Sequence, residues 1–341
     1  MNNSIYRLIE PHNIARVENI IDDNEESVIV KPTHLSICNA DQRYYQGTRD
    51  AEVLARKLPM ALIHEGIGIV VCDPDGKFKA GEPVVMIPNT PYEEDEYIAE
   101  NYLRSSKFRA SGFDGFMQDR VAMRRDRLVS LPENVNRDVA AFTEITSVSN
   151  HAIDRWDAVA HGRRDNIAIW GDGSLAFITS LILRYRFPES HIMVMAKHHE
   201  KAEIFHHVDA IYDIRNIPED ITIDHAFECV GGLGSPKAIN QIIDLIKPEG
   251  TIAIMGVSEN EVPINTRMIL EKGLRVIGTS RSGRQDFENT VKMYAEHPEF
   301  VKQLEAVVDH IIEVNDVEDI HLAFEKDIAK NGGKTVMHWN I

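Results

Sequence analysis

The chain has little cysteine, no long apolar run and no surplus of positive charge. Its 341 residues include three cysteines, Cys38, Cys72 and Cys229. They are too few and too dispersed for a disulfide framework or a closed four-thiolate zinc site, so at most each acts alone. No apolar stretch approaches the roughly 18 residues that a membrane-spanning helix requires, so no membrane insertion is expected. The opening MNNSIYRLIE lacks the basic-then-apolar order of a secretory signal, and the expected location is cytoplasmic. Lys and Arg number 37 against 54 Asp and Glu, a formal net charge of -17. A field of that sign repels nucleic acid and anionic lipid, so no nucleic-acid partner is expected and any anionic ligand must meet local basic groups. Internal repeats and low-complexity tracts are also missing, which excludes a solenoid and a disordered tail.

What is present is a chain with 43% hydrophobic residues, long enough for two domains. From Asn166 onward, strand-length apolar runs alternate with helical stretches: NIAIW, HIMVMA, AIY, HAFECV, TIAIMG and LRVIG. That alternation predicts an α/β fold with a Rossmann-type doubly wound parallel sheet of six strands. Ser235-Pro236 is expected to start a helix as N-cap and first-turn proline, and Pro248-Glu249-Gly250 to turn the chain before the fifth strand. Before about residue 150 the pattern shifts to shorter strands, including ESVIVKPTHLS, GIGIVVC, EPVVMIP and DGFMQDRVAM. The expected division is a β-rich domain over 1-150, a dinucleotide-binding domain over 151-284, and a C-terminal segment over 285-341. That last segment reads as helices at about Gln285–His297 and Asp316–Ala329, then a strand, KTVMHW, returning to the first domain's sheet.

Gly171-Asp172-Gly173-Ser174-Leu175-Ala176 follows the strand NIAIW and opens the helical stretch SLAFITSLILRYR. This is a dinucleotide-binding turn in its required setting. Gly171 permits the tight turn, Gly173 lets the backbone approach a pyrophosphate, and Ala176 allows close helix packing; the anion meets free N–H groups at the helix start. An ordinary glycine turn is the alternative, but five further strands in the right rhythm favour the cofactor. The second strand ends Met195-Ala196-Lys197-His198-His199, where an NAD-binding chain needs an acidic residue for the ribose 2′-hydroxyl. Lys197 with His198 suits a 2′-phosphate, so NADP(H) is expected over NAD(H), unless these are merely solvated loop residues. Ser280 and Arg281 follow the last strand, either as cofactor contacts or as polar loop residues.

Cys38 in SICNADQRYYQG, His64-Glu65 in IHEGIGIV and Glu144 in AAFTEITSVSNHAI each have a dull explanation alone; a lone cysteine is usually buried filler. Together, in this order and ahead of the nucleotide turn, they resemble the zinc-binding segments of the medium-chain zinc-dependent alcohol and polyol dehydrogenases. The resemblance implies a GroES-like catalytic domain and one catalytic zinc held by Cys38, His64 and Glu144, with the fourth position open for water or substrate. Glu65 corresponds to an adjacent glutamate that can approach the metal, and Asp41 to the carboxylate that orients the His64 ring. Zinc would polarise a carbonyl for hydride transfer from the nicotinamide. Tyr44 reads as a participant at the reactive centre or as a packing aromatic. Two departures stand out. No cysteine occurs between about Asn89 and Gly112, so the second, structural zinc of many relatives is missing; and Ala40 stands where many carry a serine or threonine that relays the proton.

The segments CNADQRYYQGTRD, LPMALIHEGIG, FRASGFDGFMQD, IWGDGSLAFIT, HAFECVGGLGS and LEKGLRVIGTSRSG resemble, end to end, the bacterial ribitol-5-phosphate 2-dehydrogenases, or ribulose-5-phosphate reductases. That resemblance implies NADPH, a phosphorylated pentulose, and supply of ribitol 5-phosphate for CDP-ribitol in teichoic acid or capsule synthesis. It further implies a homodimer and a pathway association with a ribitol-5-phosphate cytidylyltransferase. Two basic clusters in an acidic chain, Arg43 with Arg49 and Arg104 with Lys107 and Arg109, are candidates for the substrate phosphate; each is equally explained by solvation or by pairing with the acidic run EEDEY. The rival enzyme reading is a polyol dehydrogenase for an unphosphorylated sugar alcohol. From another class comes a nucleotide-binding regulatory protein that has lost catalysis.

Overall fold

The computed structural model describes residues 1–21, 27–330 and 332–341. The chain separates into two compact units, one made of Met1–Ser147 with Ser282–Ile341 and the other of Val148–Arg281. The division falls inside one helix, Thr143–Val159.

The second unit is built on a six-stranded parallel sheet. Across the sheet the strands run Ala210–Asp213, His191–Ala196, Asn166–Trp170, Ile223–Glu228, Ile246–Ile254, Arg275–Gly278. That is third, second, first, fourth, fifth and sixth in chain order, so the order reverses beside the first strand, where dinucleotides bind in such sheets. The central strands are mostly apolar and almost wholly buried because both faces of a parallel sheet are covered; Asp224, His225 and Glu228 are the buried polar exceptions on the fourth. The expected turn at Pro248-Glu249-Gly250 is instead carried inside the strand Ile246–Ile254, with Glu249 at φ 66 and a register shift opposite Ile223/His225. Ser235 is not an N-cap: it lies inside the helix Ser235–Leu245, behind Gly234, and its hydroxyl donates to Glu228 Oε1 at 3.2 Å.

The first unit carries the strands Ser27–Ser36, Glu65–Cys72, Pro83–Met86 and Leu128–Ser130, extended by the C-terminal strands Lys334–Trp339 and Val308–Val314. Lys334–Trp339 pairs antiparallel with Ser27–Ser36 and parallel with Val308–Val314, so the last strand of the chain closes onto the first unit's sheet. Glu26, the first residue of the run ESVIVKPTHLS, lies outside the described residues. DGFMQDRVAM forms a strand only over Val121–Arg124; before it Gln118 makes an isolated bridge to Ile5. Helices Arg284–Glu296 and Val317–Ala329 flank the returning segment, and Arg284 donates its backbone N–H to Glu100 Oε1. Tyr6, Tyr45, Phe116, Phe324 and Trp339 pack together in the core beneath the sheet. Among the described residues no helix is long and apolar enough to cross a membrane.

Candidate functional site

Strand Ser27–Ser36 delivers Cys38 just past its end, and Cys38 is the N-cap of helix Asn39–Tyr45. Asp41, at the third helical position, closes a capping box by accepting the Cys38 N–H at 3.2 Å. Its other oxygen accepts the Ile63 N–H at 3.0 Å, and Oδ2 lies 3.5 Å from His64 Nδ1. One buried carboxylate thus fixes the helix start, the residue before His64, and the His64 ring. Glu65, the first residue of strand Glu65–Cys72, is fully buried. Both of its carboxylate oxygens lie 2.8 Å from Lys334 Nζ. Register explains the meeting: Ser36 pairs with Glu65 on one side and with Val336 on the other, so Lys334 and Glu65 flank the end of the same strand.

The ligand-type atoms of Cys38, His64 and Glu65 all lie within 4.8 Å of one another. Glu144, in the first turn of Thr143–Val159, lies outside that tightest group. It is nevertheless buried and within reach of the same charges. Burial, with Glu65 and Asp41, pushes its carboxyl up to about 7, against the pull of His64 and Lys334. Burial works against charge on His64, but Asp41 and Cys38 outweigh it and raise the imidazole well above its ordinary value. Lys334 is likewise raised, burial being overcome by Glu65, Cys38 and Asp327. Three carboxyl groups and a thiol therefore face two basic side chains. A thiolate, an imidazole and carboxylates converging in this way form a donor set that suits a zinc ion, which would balance the acidic excess.

Tyr44 is buried on the same helix. Arg49 lies 4.7 Å and Lys57 5.9 Å from its ring centroid, and Lys57 Nζ donates to Ser111 Oγ at 2.8 Å. The sequence did not single out Lys57, one more basic residue on the short stretch Ala51–Lys57. Arg43 is half-buried in the last turn of the helix Asn39–Tyr45, whereas Arg104 and Lys107 are exposed, Lys107 standing 5.2 Å from the Tyr92 ring. Arg109 is turned inward. It donates to the carbonyls of Asp114 and Ala122 and lies within 6 Å of the Phe113 and Phe116 rings, a structural anchor rather than a group aimed at a ligand.

In the second unit, Gly171 has φ 135, and a Cβ there would stand 3.2 Å from the Cys229 carbonyl and 3.3 Å from Ala176 Cβ. Only glycine meets both demands. Gly173 is the N-cap of helix Ser174–Arg186 and has open space around it, as close approach of a ligand backbone requires, and Ser174 and Leu175 form the first turn. Lys197 is exposed and His198 half-buried at the end of the second strand. The strand's own sequence ends without a carboxylate, but the fold brings one: Asp172 Oδ2 accepts the N–H groups of Lys197 at 2.9 Å and His198 at 2.7 Å, and lies 3.0 Å from His198 Nδ1. Its charge is taken up by these donors, and it ties the glycine turn to the loop that follows the second strand. Glu228, which the sequence reading did not single out, accepts the N–H groups of Val230, Gly231 and Gly256 and so gathers the loops at the ends of the fourth and fifth strands. Ser280 and Arg281 follow the sixth strand, Arg281 with φ 60.

The family model described as an alcohol dehydrogenase GroES-like domain matches residues 24–133, and that of a zinc-binding dehydrogenase matches residues 191–296. The ribulose-5-phosphate reductase of Bacillus spizizenii is 52% identical over 341 residues, covering 100% of both chains. Ribulose-5-phosphate reductase 1 of Staphylococcus aureus is 49% identical over 339 residues, 99% of each. Among solved structures, S. aureus TarJ in complex with NADPH superposes with a TM-score of 0.90 at 44% identity over 100% of both chains. From the fold, the two family models and these full-length relatives, the chain belongs to the medium-chain family of zinc-binding alcohol dehydrogenases.

Proposed function

We propose that this protein is a zinc-dependent oxidoreductase that reduces D-ribulose 5-phosphate to D-ribitol 5-phosphate with NADPH. The observation that carries the reading is its end-to-end identity of about one half with ribulose-5-phosphate reductases, in a chain whose Cys38, His64, Glu65 and Glu144 are all held in one buried region. In this reading Cys38, His64 and Glu144 hold the zinc. The bound metal supplies Lewis acidity at the substrate carbonyl, and NADPH supplies the hydride.

The chain's own residues do the rest. Asp41 holds the His64 ring through Nδ1, leaving Nε2 as the ligand atom. Lys334 tethers Glu65, so that a carboxylate stands beside the ligands without an unbalanced charge. Ala40 has no hydroxyl to pass a proton, and the Tyr44 phenol is the proposed donor or the holder of a water that donates. Arg49 and Lys57, gathered on the Tyr44 ring, are the proposed phosphate contacts, with Arg43 beside them. The Gly171–Leu175 turn takes the pyrophosphate, Asp172 braces it, and Lys197 and His198 face the 2′-phosphate. Ser280 and Arg281 complete the cofactor contacts.

A second copy of the chain is the proposed partner. Among the described residues strand Arg275–Gly278 ends its sheet with a single neighbour, and Val276 and Leu270 are exposed near that edge, an arrangement that pairing with a twin strand would cover. The product suits a ribitol-5-phosphate cytidylyltransferase as the next enzyme, for CDP-ribitol in teichoic acid or capsule synthesis, and the proposed location is cytoplasmic. The test is product identification. D-ribulose 5-phosphate and NADPH should yield D-ribitol 5-phosphate, one per NADPH consumed, and chelation of zinc should stop the reaction. NADPH oxidation without that product would refute the assignment.

A further inference from the structure

A second group of ligand-type side chains is assembled on the first unit's sheet, apart from the Cys38 region. Glu313, His338 and His34 stand opposite one another on three adjacent strands, through the registers Glu313↔His338 and His338↔His34. Residues so paired share a face of the sheet. Asp138 reaches the row from the short helix Arg137–Ala140. His338 Nδ1 lies 2.7 Å from Glu313 Oε1, and its Nε2 lies 2.7 Å from Asp138 Oδ1. The His34 ring centroid is 4.7 Å from that of His338, and one ligand atom from each of His34, Asp138 and His338 falls within 4.8 Å of the others.

We infer that His34, Asp138 and His338 form a second binding site for a divalent transition-metal ion such as zinc, with Glu313 as the carboxylate behind His338. Two imidazoles and a carboxylate select zinc, cobalt or nickel over calcium or magnesium, which prefer oxygen alone. At metal–ligand distances of about 2.0–2.2 Å, tetrahedral ligands stand roughly 3.3–3.5 Å apart, so side-chain adjustments on fixed strands suffice to close the cluster. Burial works against charge on His338, but Asp138 and Glu313 raise its imidazole, so an ion would displace the proton between Nε2 and Asp138 while Glu313 keeps the Nδ1–H, the carboxylate–imidazole–metal arrangement of many zinc sites. Asn340 fixes that carboxylate by donating to its Oε2 at 2.8 Å.

His34 meets Thr33 Oγ1 at 3.1 Å through Nδ1. Its burial, with His338 and Arg137 nearby, pushes the imidazole down to about 4 against Asp138 and Glu313, so it is neutral at pH 7 and has a lone pair to offer. Arg137 is the neighbouring cation that opposes an ion; the Asp138 and Glu313 carboxylates outweigh it. His34 lies four positions before Cys38, roughly 13 Å along an extended chain, so this site does not share the catalytic ligands. Its ion would clamp two strands and a helix directly, and a third strand through Glu313, among them the C-terminal strand that also carries Lys334.

Equilibrium dialysis of the zinc-loaded enzyme against micromolar zinc chloride, with metal counted by mass spectrometry, tests the inference. Wild type should hold one more zinc per chain than His34→Gln/His338→Gln and than the gentler variant Asp138→Asn, and the added zinc should raise the Tm of wild type alone. Cys38→Ser should keep the extra ion, while the histidine variants should keep NADPH oxidation, showing that they fold. Equal metal counts in wild type and both variants, or no ion beyond the one lost with Cys38, would overturn it.

Discussion

Lys334 and Glu65 are 269 positions apart in sequence, yet the ammonium lies 2.8 Å from the carboxylate with both side chains almost wholly buried. Removing one partner of such a pair leaves an uncompensated buried charge and costs about 3–5 kcal/mol. Lys334→Met should therefore lower stability by that order in urea unfolding and depress kcat, because a freed Glu65 carboxylate then competes at the metal ligands. Lys334→Arg should retain most of both. Equal activity in the methionine variant and wild type would show that the tether has no part in the site.

Gly171 makes a second prediction. At φ 135, with the Cys229 carbonyl 3.2 Å from where a Cβ would sit, Gly171→Ala strains the turn by about 1–3 kcal/mol. NADPH affinity measured by fluorescence titration should fall at least tenfold, with kcat for bound cofactor changed much less.

Arg49 and Lys57 carry the third. Hydrogen bonds to a charged group contribute about 1.5–3 kcal/mol, so Arg49→Glu or Lys57→Glu should raise KM for D-ribulose 5-phosphate roughly ten- to a hundredfold. Charge reversal at the exposed Arg104 or Lys107 should do far less. Arg109→Glu should lower Tm instead, since that guanidinium supports two backbone carbonyls. Unchanged kinetics in the Arg49 and Lys57 variants would move the phosphate site elsewhere.

A pH dependence of stability follows from two neutral histidines in the second unit. His225 accepts the Thr251 N–H on Nδ1, and its Nε2 faces the Arg163 carbonyl at 2.9 Å; burial, with His161 nearby, pushes it down to about 4. His207, bonded through Nε2 to Ser180, is held down to about 4 by burial and by Arg184. Above pH 6.5 both folded and unfolded chains keep these rings neutral. As pH falls from 6.5 toward 4 the unfolded chain takes up protons that the folded one refuses, so stability falls, by roughly 1–2 kcal/mol per histidine at pH 5. Thermal unfolding between pH 7.5 and 5 should show the loss, and His225→Asn should flatten it.

The sheet of the second unit was legible because its strands are mostly apolar runs bounded by turns, and burial of the central strands on both faces leaves that mark in sequence. Cys38, Asp41, His64 and Glu144 were legible as a group only through resemblance; composition alone made each ordinary. Lys334 was hidden because a lysine at the start of a strand looks like a solvent-facing end, and only the register of two distant strands brings it to Glu65. Asp172 was read as part of the glycine turn, but its bonds to the loop at Lys197 and His198 were not, and Glu228 was missed, for a related reason. A carboxylate bonded to backbone N–H groups of another loop leaves no periodic signal, so the strand end at Ala196 read as lacking an acid that the turn in fact supplies.

The central claim is tested most directly by steady-state NADPH oxidation on the zinc-loaded protein, with D-ribulose 5-phosphate run beside xylulose 5-phosphate, fructose and sorbitol, the last assayed in reverse with NADP. The account predicts a kcat/KM for D-ribulose 5-phosphate at least a hundredfold above the others, and lower again with NADH in place of NADPH. Equal or better turnover of an unphosphorylated sugar or polyol would contradict it.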